Sequence, residues 1–498
     1  MTPEQIKLTK LHNSEMPIEE VARINKMVAH TKRAMEIVTL IPGAEDELRN
    51  DAGAFIEKYH LVIDDLDGLK KTVLPEYADY RNQFAKTHDK KSLSVDEVDK
   101  LLKEIPDILF RYGQFFANKI YYRDKLKDTL CVPKNPRVKK WRERQINRCQ
   151  GAVGGANESF IHAIITYEMA HGCSVGCEFC GLSAGKLQHV FRYTDENAEL
   201  FRNVLKVCHE ELGEAAGQGM MYFATEPLDN PDYEKFEEDY YKEFHIIPQI
   251  TTAVADRDIE RTRRLVHELY KKPGGFVHRF TLRSLEMAHK VFEAFTPEEL
   301  MLVELLPQYE EAPGFVQYTV VGKQAEVTDT RTDGVEDPGT ICCIDGFRVN
   351  FSKKELSVFT PCHMSEDNPN GIAIAKTVEF TDAEDFREKL GQLIDEYMVV
   401  DIPSNEPLTL YDYYVRDVDP KYGNVIRSNY GGELLLLDKF SDDYMNDIVD
   451  YLTEGKYNKY EIAEIIRNDH GLPAERTFYF LNQLWKKGFI LDRKFFRR

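Results

Sequence analysis

Three cysteines, Cys173, Cys177 and Cys180, fall within the ten residues HGCSVGCEFC at a C-x3-C-x2-C spacing. Zinc wants four ligands, usually as pairs of C-x2-C, and no second pair exists in the chain. Three thiolates on one short loop can instead hold three irons of a [4Fe–4S] cluster, since such clusters are bound by cysteine sulfur. The fourth iron is then open to chelate a small molecule and pass it an electron. Gly172, Gly176 and Gly181 let the backbone fold tightly round the sulfurs. The competing reading is three unrelated thiols on a loop.

The elements that must carry this motif follow a rhythm. FIHAIITYEM, GMMYFAT, IIPQITTAV, VHRFTLRS and LMLVELLP read as strands. Between them ENAELFRNVLKVCHEEL, DYEKFEEDYYKEF, DIERTRRLVHELYKK and LEMAHKVFEAF read as helices. Strands alternating with helices of this length predict a parallel sheet with crossover helices, and five such units suit an open or incomplete barrel. The cysteine loop follows the first strand. A hairpin over ICCIDGFRVNF, turning at Asp345–Gly346, is expected to end the repeat.

Residues 1–155 read as mainly helical. Val98, Leu101, Leu102, Ile105, Ile108 and Leu109 form an amphipathic stripe in which Pro106 should break the helix. The basic, Gly-containing PKNPRVKKWRERQINRCQGAVGG reads as a linker or domain edge. At the other end GGELLLLDKF, then helical DDYMNDIVDYL, KYEIAEIIRND and ERTFYFLNQLWKKG, then FILDR, follow a winged helix-turn-helix pattern. The expected domains are 1–155 helical, 156–375 barrel with hairpin, 376–424 connecting, and 425–498 winged helix.

Composition bounds the function. The chain has 498 residues, 42% hydrophobic and 30% charged, with 28 Phe and 26 Tyr, too many for disorder. Lys plus Arg number 65 against 85 for Asp plus Glu, a formal charge of -20 that argues against a general nucleic-acid binder. No apolar run is long enough for a membrane span, and MTPEQIKLTKLHNSEMPIEE has no signal-type apolar region, so a cytoplasmic protein is expected. Nine cysteines in such a chain read as thiols or ligands, not a disulfide framework.

Over residues 156–310 the chain resembles the radical SAM superfamily, whose hallmark is a three-cysteine loop after the first strand of a partial (β/α)6 barrel. The resemblance implies that S-adenosylmethionine binds the open iron and is cleaved to a 5'-deoxyadenosyl radical. It places Phe179 by the adenine. Glu226, in YFATEP, stands where the family has a Gly-Gly-Glu that receives the methionine amino group. Ala224 and Thr225 replace the two glycines, so the carboxylate carries over and Thr225 is a weaker backbone contact. Arg283 and Ser284, in TLRSLEMAH, match positions that contact the methionine carboxylate and the ribose, although an ordinary charge-paired Arg is an equal alternative.

The runs YFATEPLDNPDYEKF, HRFTLRSLEMAHKVF and FTPCHMSEDNPNGI resemble the radical SAM peptide epimerases, which convert L to D residues in ribosomally made precursor peptides. That chemistry needs a thiol to return hydrogen to a planar α-carbon radical. Cys208 lies in a helix and reads as structural, and Cys131 and Cys149 carry no local signal. Cys342 and Cys343 are adjacent on a predicted strand, so at most one faces a cleft. Cys362 follows a strand and precedes a polar loop, which makes it the expected donor, with Cys343 or Cys342 next. The run through FTPC also resembles the start of an auxiliary-cluster extension, but no cysteine follows Cys362, so one cluster is expected.

The terminal pattern resembles a leader-recognition element in which a peptide pairs as an added strand against the third helix. That helix carries Phe478, Leu481 and Trp485. DNA binding is the rival, favoured by Lys486, Lys487, Arg493, Lys494, Arg497 and Arg498 and opposed by Asp450, Glu454, Glu461 and Glu464. The expected partners are a precursor peptide with its leader and a flavodoxin- or ferredoxin-type electron donor, with no nucleic acid and no membrane. The alternatives are thioether or carbon–carbon crosslinking of a peptide, and an iron–sulfur DNA-binding sensor.

Overall fold

The computed structural model describes residues 17–82, 100, 103–272, 278–315, 321–328, 339–340, 342–430, 434–437 and 443–496. Residues 1–16 of the N-terminal run discussed above, and Val98, Leu101, Leu102, Arg497 and Arg498, lie outside the described residues. In chain order the main elements begin with α1 (Ile18–Leu40), α2 (Asp107–Lys125), α3 (Pro136–Val153), β1 (Ala163–Glu168), α4 (Asp195–Leu212) and α5 (Tyr233–Phe244). They continue with β2 (Thr251–Thr252), α6 (Ile259–Glu268), β3 (His278–Leu282), α7 (Leu285–Ala294) and β4 (Val303–Pro307). Next come β5 (Ile344–Asn350), β6 (Glu355–Pro361), β7 (Ile372–Glu379), α8 (Ala383–Tyr397), β8 (Tyr414–Asp419), β9 (Gly423–Ser428) and β10 (Leu434–Leu436). The chain closes with α9 (Asp443–Glu454), α10 (Lys459–His470) and α11 (Ala474–Lys486). The class is mixed α/β. No helix among the described residues is long and apolar enough to cross a membrane.

The chain forms two compact units interleaved in sequence. The first takes residues 1–125, 226–228 and 245–317. Here α1 buries Ile24, Val28, Ile37 and Val38, and α2 starts immediately after Pro106, as the missing proline N–H requires. Strands β2, β3 and β4 pair in parallel, with α6 and α7 as the crossovers that the sequence rhythm predicts. Both crossover helices are N-capped, α6 by Asp258 and α7 by Ser284, each accepting a backbone N–H three residues on. Buried Lys32 donates to the carbonyls of Leu300 (3.0 Å) and Val303 (2.7 Å), tying α1 to the β4 edge.

The second unit holds the remaining residues. Its four-stranded sheet runs β1-β5-β6-β7, with β1 and β5 parallel and the rest antiparallel. The expected hairpin turn at Asp345–Gly346 is not there. Both residues lie inside β5, and the chain reverses over Phe351–Lys354, where Lys354 takes φ 51°. Gly346 serves another need: a Cβ there would stand 2.2 Å from the carbonyl oxygen of Ile164 on β1, so only glycine allows the approach.

The expected second strand, GMMYFAT, is reduced to one bridge between Thr166 and Met220. The Thr166 hydroxyl lies 3.0 Å from the Met220 carbonyl and 2.6 Å from that of Tyr222, and Glu168 accepts the Ala224 N–H (2.8 Å). Side chains thus occupy backbone groups that a ladder would use. The strands expected in one partial barrel therefore fall into separate small sheets, none closed among the described residues.

Residues 133–155 are also not a linker. Most of them form α3, which begins at Pro136 with Asn135 as N-cap. Arg137, Lys139 and Lys140 are exposed, but Arg142, Arg144 and Arg148 are all buried, as is Trp141. Arg142 donates to the carbonyls of Lys127, Ile161 and His162 at 2.7–3.0 Å, and Arg144 pairs with buried Asp492 while lying 3.8 Å from the Trp485 ring centroid. The far end of α3 joins a core with Ile448, Leu481, Leu484 and Trp485 from the three terminal helices. The three helices lie where the sequence predicts them, Leu434–Leu436 joins the antiparallel sheet β8-β9-β10, and FILDR contributes only the bridge of Ile490 to Leu410. Leu481 and Trp485 are buried and Phe478 is half-buried, while Tyr422, Tyr460 and Tyr479 are exposed.

Candidate functional site

The cysteine loop leaves β1, whose six residues are all buried, and is pinched at its root. Ala170–His171 pairs antiparallel with His189–Val190, and the Cys173 N–H donates to Gly185 at 2.9 Å. Gly172 (φ 84°) makes this closure possible, because a Cβ would sit 2.2 Å from the Lys186 carbonyl oxygen. Gly176 also takes positive φ, at 66°. Inside the loop the Val175 N–H lies 3.4 Å from the Cys173 sulfur and the Ala184 N–H 3.4 Å from that of Cys180. Hydrogen bonds to cysteine sulfur are among the features that tune iron–sulfur centres in general.

Cys173, Cys177 and Cys180 are half-buried, whereas Cys131, Cys149, Cys208, Cys342 and Cys362 are buried; none of the nine is in a disulfide. Three accessible thiols on a glycine-shaped loop, two of them facing amide donors, fit an iron–sulfur cluster by donor chemistry and by backbone shape.

The loop after Cys362 is bonded to this one. Cys362 directly follows β6, and its N–H donates to Gly371 at 2.9 Å, closing residues 362–371 into a compact turn. Asn370 donates its side-chain amide to the Leu182 carbonyl (3.0 Å), and Pro369 accepts from Gly322 N–H (2.9 Å). The next residue, Lys323, donates its N–H to the Cys180 carbonyl (3.2 Å) and its ammonium to that of Ala184 (3.2 Å). Gly322 is required at that crossing, since a Cβ would lie 2.3 Å from the Gly181 carbonyl oxygen. A chain of hydrogen bonds therefore joins the C-x3-C-x2-C loop to Cys362 across nearly two hundred residues.

Cys362 is 3% exposed. Burial pushes its thiol up to about 12 against the opposing pull of the Arg148 guanidinium. At neutral pH it keeps its S–H, the form from which a hydrogen atom can be given. Of the two alternatives, Cys342 is buried with its pKa pushed well above the ordinary value by burial, and Cys343 is half-buried. Neither is on a strand, since β5 begins at Ile344.

Behind Cys362 lies a buried polar cluster that the sequence reading did not anticipate. Arg148 donates to the Cys149 sulfur (3.2 Å), the Thr360 hydroxyl (2.9 Å) and the Pro361 carbonyl. Thr360 in turn donates to Asp345, whose other oxygen meets His162 Nδ1. His162 Nε2 lies 2.8 Å from Asn157 Oδ1. The ligand atoms of Cys149, His162 and Asp345 lie within 4.8 Å of one another and have the donor types to hold a metal. The guanidinium already on the Cys149 sulfur and the histidine–aspartate bond occupy those donor atoms, while Arg148 Nη1 and Gln145 Nε2 in the same cluster have no hydrogen-bond partner. Its only sequence signal was the Asp345–Gly346 pair, read as a turn.

The remaining predicted residues divide between the two units. Phe179 and Thr225 are half-buried in the second. In the first, Glu226 is buried, accepting from Thr252 Oγ1 (2.7 Å), Ala253 N–H (2.9 Å) and Leu228 N–H (3.1 Å). Arg283 is exposed and donates Nε to the Ala253 carbonyl (2.7 Å), while Ser284 caps α7. Glu226 and Arg283 thus meet at Ala253, one at its N–H and the other at its C=O.

No family model matches the chain, and no solved structure matches it. Among curated proteins, an uncharacterized protein of Sinorhizobium fredii, y4wI, is 37% identical over 294 residues. That match covers 58% of this chain and 57% of the relative, so the chain spans little over half of that protein's length.

Proposed function

We propose that the chain is a radical S-adenosylmethionine enzyme that inverts α-carbons in a ribosomally made precursor peptide. The observation that carries this reading is the hydrogen-bonded path from the Cys180 carbonyl through Lys323, Gly322 and Pro369 to the turn that begins at Cys362. It ties the turn that begins at Cys362, a buried thiol, to the three-cysteine loop.

Cys173, Cys177 and Cys180 would hold one [4Fe–4S] cluster, which with S-adenosylmethionine supplies the 5'-deoxyadenosyl radical that removes the peptide α-hydrogen. The work left to this chain is delivery of hydrogen to the opposite face. Cys362 gives up its S–H hydrogen atom to the planar α-carbon radical; a new Cα–H bond forms and the sulfur keeps one unpaired electron. One electron from a flavodoxin- or ferredoxin-type donor and one proton restore the thiol. Burial of Cys362 keeps the thiolate from forming, and Arg148 fixes the Pro361 carbonyl immediately before it. The partial-barrel assignment, the contacts of Phe179, Thr225, Glu226, Arg283 and Ser284 with the methionine, ribose and adenine, and leader binding by the terminal element belong to the same proposal.

The test is anaerobic turnover in heavy water with a candidate precursor peptide. Inversion places deuterium at each new D centre because the thiol exchanges with solvent. Crosslinking removes hydrogen instead, and a DNA-binding sensor gives salt-dependent duplex binding with no adenosine product. Either of those outcomes replaces this reading.

A further inference from the structure

Ser174 lies between the first two cluster cysteines and gives both of its donors to one side chain. Its N–H is 2.8 Å from Asp229 Oδ2, and its hydroxyl donates to Asp229 Oδ1. The peptide that follows Ser174 carries the Val175 N–H, which faces the Cys173 sulfur. A two-point bond on Ser174 therefore sets the direction of an amide aimed at a sulfur.

Asp229 is itself firmly carried. Its neighbour Asn230, 1% exposed, donates to the Phe191 carbonyl (2.8 Å) and to that of Met169 (3.4 Å), the two residues that close the root of the same loop. The Asn230 side-chain oxygen accepts the Asp232 N–H (2.9 Å), completing the anchor. The carboxylate is thus a fixed group reaching from the base of the loop to its first turn. An ordinary surface Asp–Ser contact would hold a turn and do nothing more; the amide–sulfur contact one residue on is what sets this one apart.

We infer that Asp229 is a positioning residue that sets the reduction potential of the cluster held by Cys173, Cys177 and Cys180. Two effects act. The bidentate bond fixes the amide aimed at the Cys173 sulfur, and the carboxylate places negative charge beside a centre that must accept an electron. Net charge and hydrogen bonds to sulfur are among the terms that set such potentials. The inference rests on the cluster reading above and adds a residue outside the cysteine motif.

The test uses the full chain, reconstituted anaerobically with iron and sulfide, as wild type, Asp229→Asn, Ser174→Ala and Cys173→Ala. The readouts are iron per chain, the electron paramagnetic resonance spectrum of the reduced cluster, and its midpoint potential. Asp229→Asn keeps the side-chain shape but removes the charge; its midpoint should rise by about 59 mV or more, a tenfold change in a one-electron equilibrium. Ser174→Ala keeps the charge and should move the midpoint less while altering the spectrum. Identical midpoints and spectra in wild type, Asp229→Asn and Ser174→Ala would overturn the inference and leave the cluster reading standing. Wild type that binds no more iron than Cys173→Ala would overturn both.

Discussion

Arg148 Nη2 stands 3.2 Å from the Cys149 sulfur and also donates to the Pro361 carbonyl, so one guanidinium on α3 grips the residue before Cys362. Its Nε donates to Gln145 (2.6 Å), and the side chain is 1% exposed. This buried cation is held by those hydrogen bonds, by the ring of Phe496 5.2 Å away and by the charge of Asp345. Arg148→Met should cost about 3 kcal/mol by leaving buried acceptors unmet, measured by denaturant unfolding against wild type. Arg148→Lys, which keeps the charge but not the fork, should fall between the two.

Replacing Cys362 with Ala separates two steps. Adenosine formation should persist, while deuterium incorporation and D residues fall below about 1% of wild type, read by mass spectrometry and chiral analysis. Cys149→Ala, which removes the neighbouring buried thiol, should retain inversion. If Cys362→Ala still delivers D residues, the donor is elsewhere and Cys343 is next in line.

Buried thiols predict an alkaline limit to stability. Burial raises Cys131, Cys208 and Cys362 to about 12 from an ordinary 9.0. Each folded-state value lies above the unfolded one, so the stability linked to these thiols is fully present below pH 9. It is lost as pH climbs toward 12, at about 1.4 kcal/mol per pH unit for each thiol. Unfolding free energies measured from pH 8 to 11 should decline accordingly, and Cys208→Ala should flatten the decline.

Gly172→Ala tests the root of the cysteine loop. The added Cβ meets the Lys186 carbonyl oxygen at a backbone φ of 84°, so the closure must open or strain by about 1–3 kcal/mol. Iron retained after anaerobic reconstitution should drop to less than about half of wild type, while the far-ultraviolet circular dichroism stays unchanged. Gly185→Ala, where a Cβ meets nothing within 4 Å, is the matched control and should keep its iron.

How much was legible depended on how local each signal was. Helices α4 to α7 follow directly from their apolar spacing, because each buries one stripe. The cysteine motif is local too, all three sulfurs lying within eight residues. The stretch that forms α3 reads as a linker or domain edge because it is basic and contains glycine, whereas the guanidinium groups of Arg142, Arg144 and Arg148 are spent on buried carbonyls and on Asp492. The Asp345–Gly346 pair misled for a similar reason. The chemistry that suits a tight turn also suits a strand whose glycine admits a neighbouring backbone and whose aspartate is buried against His162. Asp229 and Asn370 had no local mark at all, since their partners Ser174 and Leu182 lie 55 and 188 residues away.

Helix α3 has a further consequence for anyone trimming the chain. Trp141 rests against Phe495 with ring centroids 5.5 Å apart, and Arg144 depends on Asp492, both within the last seven residues of the sequence. A truncation just before α9 would bare an indole and strand a cation on the same rod that grips Pro361. The tail is thus not a detachable module: it and the strands behind Cys362 should melt in a single cooperative transition.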